Sequence, residues 1–115
     1  MRVLKFGGTS LANPERFMQA ADIIEKAHLK SQAAGVLSAP AKITNHLVAI
    51  VDKAIAGESF EQNLSEATDI FHNIINGLHA ANNKVDREGL LALVEAELKQ
   101  IQGVAQEAAQ SKSLP

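Results

Sequence analysis

A lysine, two glycines and two hydroxyl residues stand together near the start of the sequence, as Lys5, Gly7, Gly8, Thr9 and Ser10. An ammonium group can neutralise phosphate charge, and glycines let a ligand approach the backbone amides because they carry no Cβ atom. The two hydroxyls can donate hydrogen bonds to phosphate oxygens. In a P-loop the lysine follows the glycines, and a dinucleotide-binding motif spaces its glycines differently. The segment therefore predicts a phosphate site of another kind.

Each of these residues also has a simpler explanation. Lys5 taken alone fits equally well a lysine at a sheet edge whose ammonium group reaches water. A Gly-Gly pair is commonly an ordinary tight turn, and Thr9 and Ser10 can cap the turn that follows. The phosphate interpretation therefore depends on the whole group and on a second segment.

That second segment begins where another short apolar run ends. Ser38 and Ala39 follow the run, and Thr44 and Asn45 stand at the predicted start of a helix. The N-terminus of a helix favours an anion such as a carboxylate. Plain N-capping explains Thr44 and Asn45 as well, so both explanations stay open at this point.

The hydrophobic spacing indicates which elements position these residues. It predicts strands at 2–6 and 35–39, and helices at about 14–32, 44–57, 59–82 and 86–111. Strand, helix and strand at the start predict two parallel strands joined by a right-handed crossover. Both motifs would then lie at the carboxyl ends of neighbouring strands, where open α/β sheets bind ligands. We expect an α/β fold with an incomplete sheet, because two strands alone are marginal in water.

Capping residues predict where the helices begin. Asn13 precedes a proline, which is typical of an N-cap followed by the first helical residue. Thr44 or Asn45 would cap the second helix. Ser59 with Gln62 matches a capping box for the third.

The composition narrows the class of protein. There is no cysteine, which excludes disulfides, thiolate metal sites and cysteine nucleophiles. A formal net charge of -2 gives no reason to expect nucleic acid as a partner. No apolar run approaches the roughly 20 residues of a membrane span, and the first residues do not form a secretory signal. We expect a cytoplasmic protein without a membrane partner.

The histidines do not predict a metal site. His72 and His79 share a face of a predicted helix, but two ligands without a nearby carboxylate do not define one. His28 and His46 are most simply residues of the surface or its rim.

Taken together, residues 5–10 and 36–45 resemble the aspartokinase branch of the amino acid kinase family. The string Lys-Phe-Gly-Gly-Thr-Ser is highly specific, and residues 38–48 are most similar to the bifunctional aspartokinase–homoserine dehydrogenases. The resemblance covers essentially all 115 residues, with its specificity in the first 48. It implies that residues 1–115 are the N-terminal part of an amino acid kinase fold.

The resemblance implies ATP-dependent phosphorylation of the side-chain carboxylate of L-aspartate to 4-phospho-L-aspartate. Lys5 would be catalytic, because it would neutralise charge on the transferring phosphoryl group. The resemblance implies ATP and phosphate binding by Lys5, Gly7, Gly8, Thr9, Ser10, Ser38 and Ala39. Thr44 and Ser38 would bind aspartate. Mg²⁺ would accompany ATP, and no general base is needed because the attacking carboxylate is already charged.

The chain also departs from the family pattern. The family's Arg-Gly-Glu segment, which bears a substrate-binding acid, occurs nowhere in the sequence. We therefore expect a fragment that is inactive alone. The intact enzyme would be a homo-oligomer, and NAD(P) would serve only a dehydrogenase half that this chain lacks.

Two other functions stay open. The chain can be a non-catalytic binding or self-association module derived from the same fold. It can also belong to a kinase of the same family that acts on glutamate or carbamate, although the Thr44-Asn45 motif argues against this.

Overall fold

The chain folds into a small parallel sheet followed by a group of helices. The computed structural model describes residues 1–111. Its elements are β1 (Arg2–Phe6), α1 (Pro14–Lys30), β2 (Ala33–Leu37), α2 (Ile43–Ile55), α3 (Glu61–Ala81) and α4 (Arg87–Ser111). A short 3₁₀ turn, Gly8–Leu11, connects β1 to α1. The predicted α/β class and βαβ arrangement are confirmed, and the helix ends differ from the predicted bounds by at most two residues.

The strand β2 lies two residues earlier in the chain than the predicted 35–39. Two backbone hydrogen bonds mark the two ends of the parallel ladder. The Arg2 N–H donates to the Gln32 carbonyl at 2.9 Å, and the Ser38 N–H donates to the Phe6 carbonyl at 3.0 Å. Because β1 ends at Phe6, the last two residues of the predicted strand have no partner strand among residues 1–111 and follow the sheet instead.

The first helix is capped as predicted, whereas the predicted capping box of the third is wrong. The Asn13 side chain accepts a hydrogen bond from the Arg16 N–H at 2.9 Å, so it caps α1. At α3 the N-cap residue is Phe60, without a side-chain cap bond. The Ser59 Oγ lies 3.5 Å from the Glu61 nitrogen, which makes only a local turn contact. Phe60 is buried in the core, and its burial fixes where α3 begins.

The prediction that Thr44 or Asn45 caps α2 is also wrong. The helix begins at Ile43, and its N-cap residue is Lys42, which has a left-handed backbone with φ 73° and no side-chain cap bond. A tight turn places the chain this way, because the Ile43 N–H donates to the Pro40 carbonyl at 3.2 Å. Ile43 is 3% exposed, so its burial anchors the start of the helix.

The inner face of the sheet packs on α1. Gly35 of β2 lies directly against Ile24 of α1. The buried residues of this cluster and the partly buried ones packed on them are Phe6, Leu11, Ala20, Leu4, Phe17 and Ile24. The alternation of side chains along β1 produces this face, since successive residues point to opposite sides.

The outer face of the sheet is open in the described structure. Val3 and Lys5 pair with Ala34 and Val36, and paired residues of parallel strands share a face. Val3 is 64% exposed and Val36 is 52% exposed. Val3 is apolar yet exposed, because no layer within residues 1–111 covers this side.

A second cluster of apolar residues joins the last three helices. Its buried members are Ile50, Ala54, Phe60, Ala105 and Ala108. Alanine at these positions lets helix backbones approach closely, so a bundle forms with few large side chains. This bundle is the base against which the sheet unit rests.

The sheet unit and the bundle meet where α1 begins. Pro14 is buried, and it lies against Gly77 of α3. A Cβ atom on Gly77 would collide with the Pro14 ring, so only glycine allows this approach. The contact fixes the end of the glycine-rich turn relative to the bundle.

We expect Gly77→Ala to lower the free energy of unfolding by about 1–3 kcal/mol, because a rigid ring cannot give way to the added methyl group. The matched control is Gly103→Ala on α4, where an added Cβ meets nothing within 4 Å. In the control, the free energy of unfolding should rise by up to about 1 kcal/mol, because alanine has a higher helix propensity than glycine. Urea denaturation of both variants measures the difference, and an unchanged Gly77→Ala variant would contradict the packing described.

Candidate functional site

The two sequence motifs meet at the carboxyl ends of the strands. The backbone of Gly8 packs on the segment after β2, because a Cβ atom there would lie 3.1 Å from the Ala39 oxygen and 3.6 Å from the Ala41 Cα. The hydrogen bond from Ser38 to Phe6 holds the same two segments together. We call residues 7–11 the glycine loop and residues 38–42 the serine loop. Their contact is the centre of the candidate site.

The glycine loop is fixed from within and from α1. Leu11 is 1% exposed and anchors the loop in the core. The Ser10 N–H donates to the Gly7 carbonyl at 3.1 Å. The Arg16 guanidinium donates to the Thr9 carbonyl at 2.9 Å. Nothing in the local sequence around Arg16 indicates this contact.

The predicted phosphate-binding residues are accessible to a ligand. Gly7, Thr9, Ser38 and Ala39 are exposed, and Ser10 is half-buried. A Cβ atom on Gly7 would meet nothing within 4 Å, so open space lies beside this residue. The geometry therefore presents a backbone turn with hydroxyl groups to the solvent at the edge of the sheet.

Lys5 belongs to the same end of β1. It directly precedes Phe6, whose carbonyl bonds to the serine loop, and it pairs with Val36 across the sheet. Lys5 is exposed and lies on the outer face, opposite α1. A cation and the exposed loop backbone are thus within two residues of each other along the chain.

Thr44 and Asn45 lie in the first turn of α2, and both are exposed. The serine loop leads directly into this turn, and its Ala41 lies beside Gly8. Amides in the first turn of a helix have no carbonyl partner within the helix and favour an anion. The structure therefore brings a turn suited to a carboxylate next to the loop suited to phosphate.

His46 lies in the same turn and makes side-chain contacts that its expected place at the surface or rim does not indicate. Its side chain is 16% exposed. Its Nδ1 lies 3.2 Å from the Asn63 amide nitrogen and 3.6 Å from a carboxylate oxygen of Glu66, both on α3. The Asn63 oxygen in turn accepts from the Lys53 ammonium at 2.7 Å. No sequence signal indicates these contacts, because they depend on how α2 and α3 pack.

The other histidines belong to no group of metal-binding side chains among residues 1–111. His79 makes a contact of 3.0 Å between its Nδ1 and the Val85 carbonyl, which is a local link to the loop before α4. Among residues 1–111, no group of three or more histidine, aspartate and glutamate side chains could hold a metal ion. In the part of the chain that the structure describes, no helix combines the length and the apolarity that a membrane crossing requires.

Comparison with known proteins identifies the family of the chain. The sequence pattern of the amino acid kinase family matches residues 1–110. The chain belongs to the amino acid kinase family. Within it, the domain is of the aspartokinase type.

The relatives of this kinase domain are aspartokinases. The chain is 63% identical over 111 residues to the bifunctional aspartokinase/homoserine dehydrogenase of Haemophilus influenzae, covering 96% of this chain. It is 37% identical over 106 residues to the protein of the same description from Buchnera aphidicola. The predicted similarity to the N-terminal part of such bifunctional proteins is confirmed.

A solved structure shows the same fold. E. coli aspartokinase III, in complex with lysine and aspartate in its T-state, matches with a TM-score of 0.73 and 30% identity over 95% of this chain. The chain spans 22% of that structure. It spans 14% and 13% of the two bacterial relatives.

We expect Gly8→Ala to lower the free energy of unfolding by about 1–3 kcal/mol, because the new methyl group would press on the backbone of the serine loop. Gly7→Ala is the matched control, since its methyl group would enter open space. Thermal or urea unfolding of the chain measures both. Equal effects of the two substitutions would show that the loops do not touch as described.

Proposed function

We propose that this chain contributes to an aspartokinase, which transfers the γ-phosphoryl group of ATP to the side-chain carboxylate of L-aspartate and forms 4-phospho-L-aspartate. This reaction is the first step in the biosynthesis of threonine, methionine and lysine from aspartate. The observation that carries the proposal is the contact of Gly8 with the serine loop. It joins a phosphate-type loop to a helix start suited to a carboxylate, in a chain whose relatives are aspartokinases.

The reaction requires that the charge of the phosphates is neutralised and that the carboxylate and the γ-phosphoryl group are aligned. A carboxylate oxygen of aspartate forms the new bond to the γ-phosphorus, and the bond from that phosphorus to the bridging oxygen breaks. ADP leaves with the bonding electron pair. Because the nucleophile is already an anion, the residues of the site need not remove a proton.

Each predicted residue has a role in this proposal. Lys5 is the catalytic residue that balances charge on the transferring phosphoryl group. The amides of Gly7 and Gly8 and the hydroxyls of Thr9 and Ser10 bind the phosphates of ATP. Mg²⁺ would enter with ATP and supply further positive charge beside its phosphates.

The serine loop and α2 form the other half of the site. Ser38 and Ala39 border the reacting groups, and Ser38 also contacts the aspartate substrate. Thr44 donates its hydroxyl to aspartate at the start of α2. The positive end of the helix dipole stabilises the bound carboxylate there.

A self-association module is the second candidate, and one observation favours it. Val3 and Val36 are 64% and 52% exposed on the outer face of the sheet, and Leu37 at the end of β2 is 55% exposed. Exposed apolar side chains on a two-stranded sheet favour pairing with another copy. Stable dimers of the chain, measured by analytical ultracentrifugation, together with failure of the next experiment would support this alternative.

The test of the proposed function uses a chimera in which this chain replaces the matching segment of the Haemophilus influenzae relative. The chimera is mixed with MgATP and aspartate, and hydroxylamine traps any acyl phosphate as a hydroxamate. We expect hydroxamate from the chimera and none from the chain alone. A folded chimera that forms none would refute the proposal, and turnover with glutamate in place of aspartate would favour another kinase of the family.

We expect Lys5→Ala in the chimera to lower kcat by about a hundredfold or more. The reason is that the contact between the Lys5 ammonium and the transferring phosphoryl group is strongest when charge develops in the transition state. The KM for aspartate should change little. Lys30→Ala removes another exposed lysine, at the end of α1, and serves as the control with normal turnover. Unchanged kcat in Lys5→Ala would remove Lys5 from the mechanism.

We expect Thr44→Val to raise the KM for aspartate roughly tenfold, because the variant loses a hydrogen bond to a charged group. The KM for ATP should stay within error. Thr44→Ser keeps the hydroxyl and should retain most of the affinity. Equal losses for both substrates would contradict the assignment of Thr44 to the aspartate side.

A further inference from the structure

A row of three polar side chains connects α2 to α3 beside the proposed aspartate site. The Lys53 ammonium donates to the Asn63 oxygen at 2.7 Å, and the Asn63 nitrogen lies 3.2 Å from the Nδ1 of His46. Both contacts are part-buried. His46 stands two residues after Thr44, in the same turn of α2.

The chemistry of lysine decides how the row is oriented. An ammonium group offers only donors, so the amide of Asn63 must turn its oxygen toward Lys53. Its NH₂ group then faces His46 and donates to Nδ1. Nδ1 must therefore act as an acceptor, which places the proton of neutral His46 on Nε2.

The first turn of α2 has little else to hold it. Its N-cap residue, Lys42, has a left-handed backbone and provides no side-chain cap, as far as residues 1–111 show. The turn is closed by the His46 N–H, which donates to the Lys42 carbonyl at 3.1 Å. The burial of Ile43 anchors one side, and the imidazole of His46 anchors the other to α3.

We infer that Asn63 is a positioning residue for the aspartate site. Oriented by Lys53, it holds the imidazole of His46 and with it the turn of α2 that carries Thr44. The inference rests on the proposed function, since it assigns the aspartate side of that site a support on α3. Asn63 itself touches no substrate.

The first experiment uses the 115-residue chain and tests the row itself. Two-bond ¹⁵N–¹H NMR correlations report which imidazole nitrogen carries the proton, and amide exchange reports the first turn. We expect an unprotonated Nδ1 in neutral His46. Asn63→Leu should accelerate exchange of the His46 amide roughly fivefold, the effect of one net hydrogen bond.

Two further variants make this experiment specific. Asn63→Asp places a carboxylate that accepts from both Lys53 and an Nδ1–H of His46, so it should restore the slow exchange and move the proton to Nδ1. Asn73→Leu changes an exposed asparagine on the same helix and should alter neither measurement. A proton on Nδ1 of the unmodified chain at high pH, or equal exchange in Asn63→Leu and Asn73→Leu, overturns the inference.

The second experiment uses the chimera described above. We expect Asn63→Leu to raise the KM for aspartate roughly fivefold while the KM for ATP stays constant.

The outcomes separate the two proposals. An active chimera in which Asn63→Leu leaves both KM values unchanged, or raises them equally, overturns the positioning role and leaves the proposed function intact. A folded but inactive chimera overturns the proposed function, and the positioning role with it, even if the NMR signals of His46 behave as expected.

Discussion

The hydrogen bond from the Ser38 N–H to the Phe6 carbonyl closes the parallel ladder, and the rest of the site depends on it. It ends both strands at the same edge and leaves the glycine loop and the serine loop side by side. Gly8 then fits against Ala39 because it has no side chain there. From this edge α2 departs, so the turn with Thr44 is placed by the same few backbone contacts. One local constraint thus sets the position of both halves of the site.

Much of the fold and of the site could be predicted from the sequence, because the signals are local. Short apolar runs indicated the strands, and helical spacing indicated all four helices to within two residues. Asn13 before a proline marked the start of α1. The juxtaposition of the two motifs followed from the topology of a βαβ unit alone. The family resemblance rested on these same residues.

The features that could not be predicted all depend on packing between elements. The exact span of β2 depends on where β1 ends, and the start of α2 depends on the turn at Pro40 and the burial of Ile43. Arg16 reaches the Thr9 carbonyl only because α1 folds back beside the loop. The contact of Asn63 with His46 requires two helices to cross at one place. Val3 is apolar yet exposed, which only the arrangement of layers could reveal.

The packing contact between Pro14 and Gly77 affects the order of folding. These residues are far apart along the chain, so their contact closes a long loop and carries a large entropic cost. The start of α1 can therefore be fixed against the bundle only after α3 has formed. Partial opening of α3 around Gly77 would release Pro14 from the bundle, whereas the contacts within the glycine loop would remain.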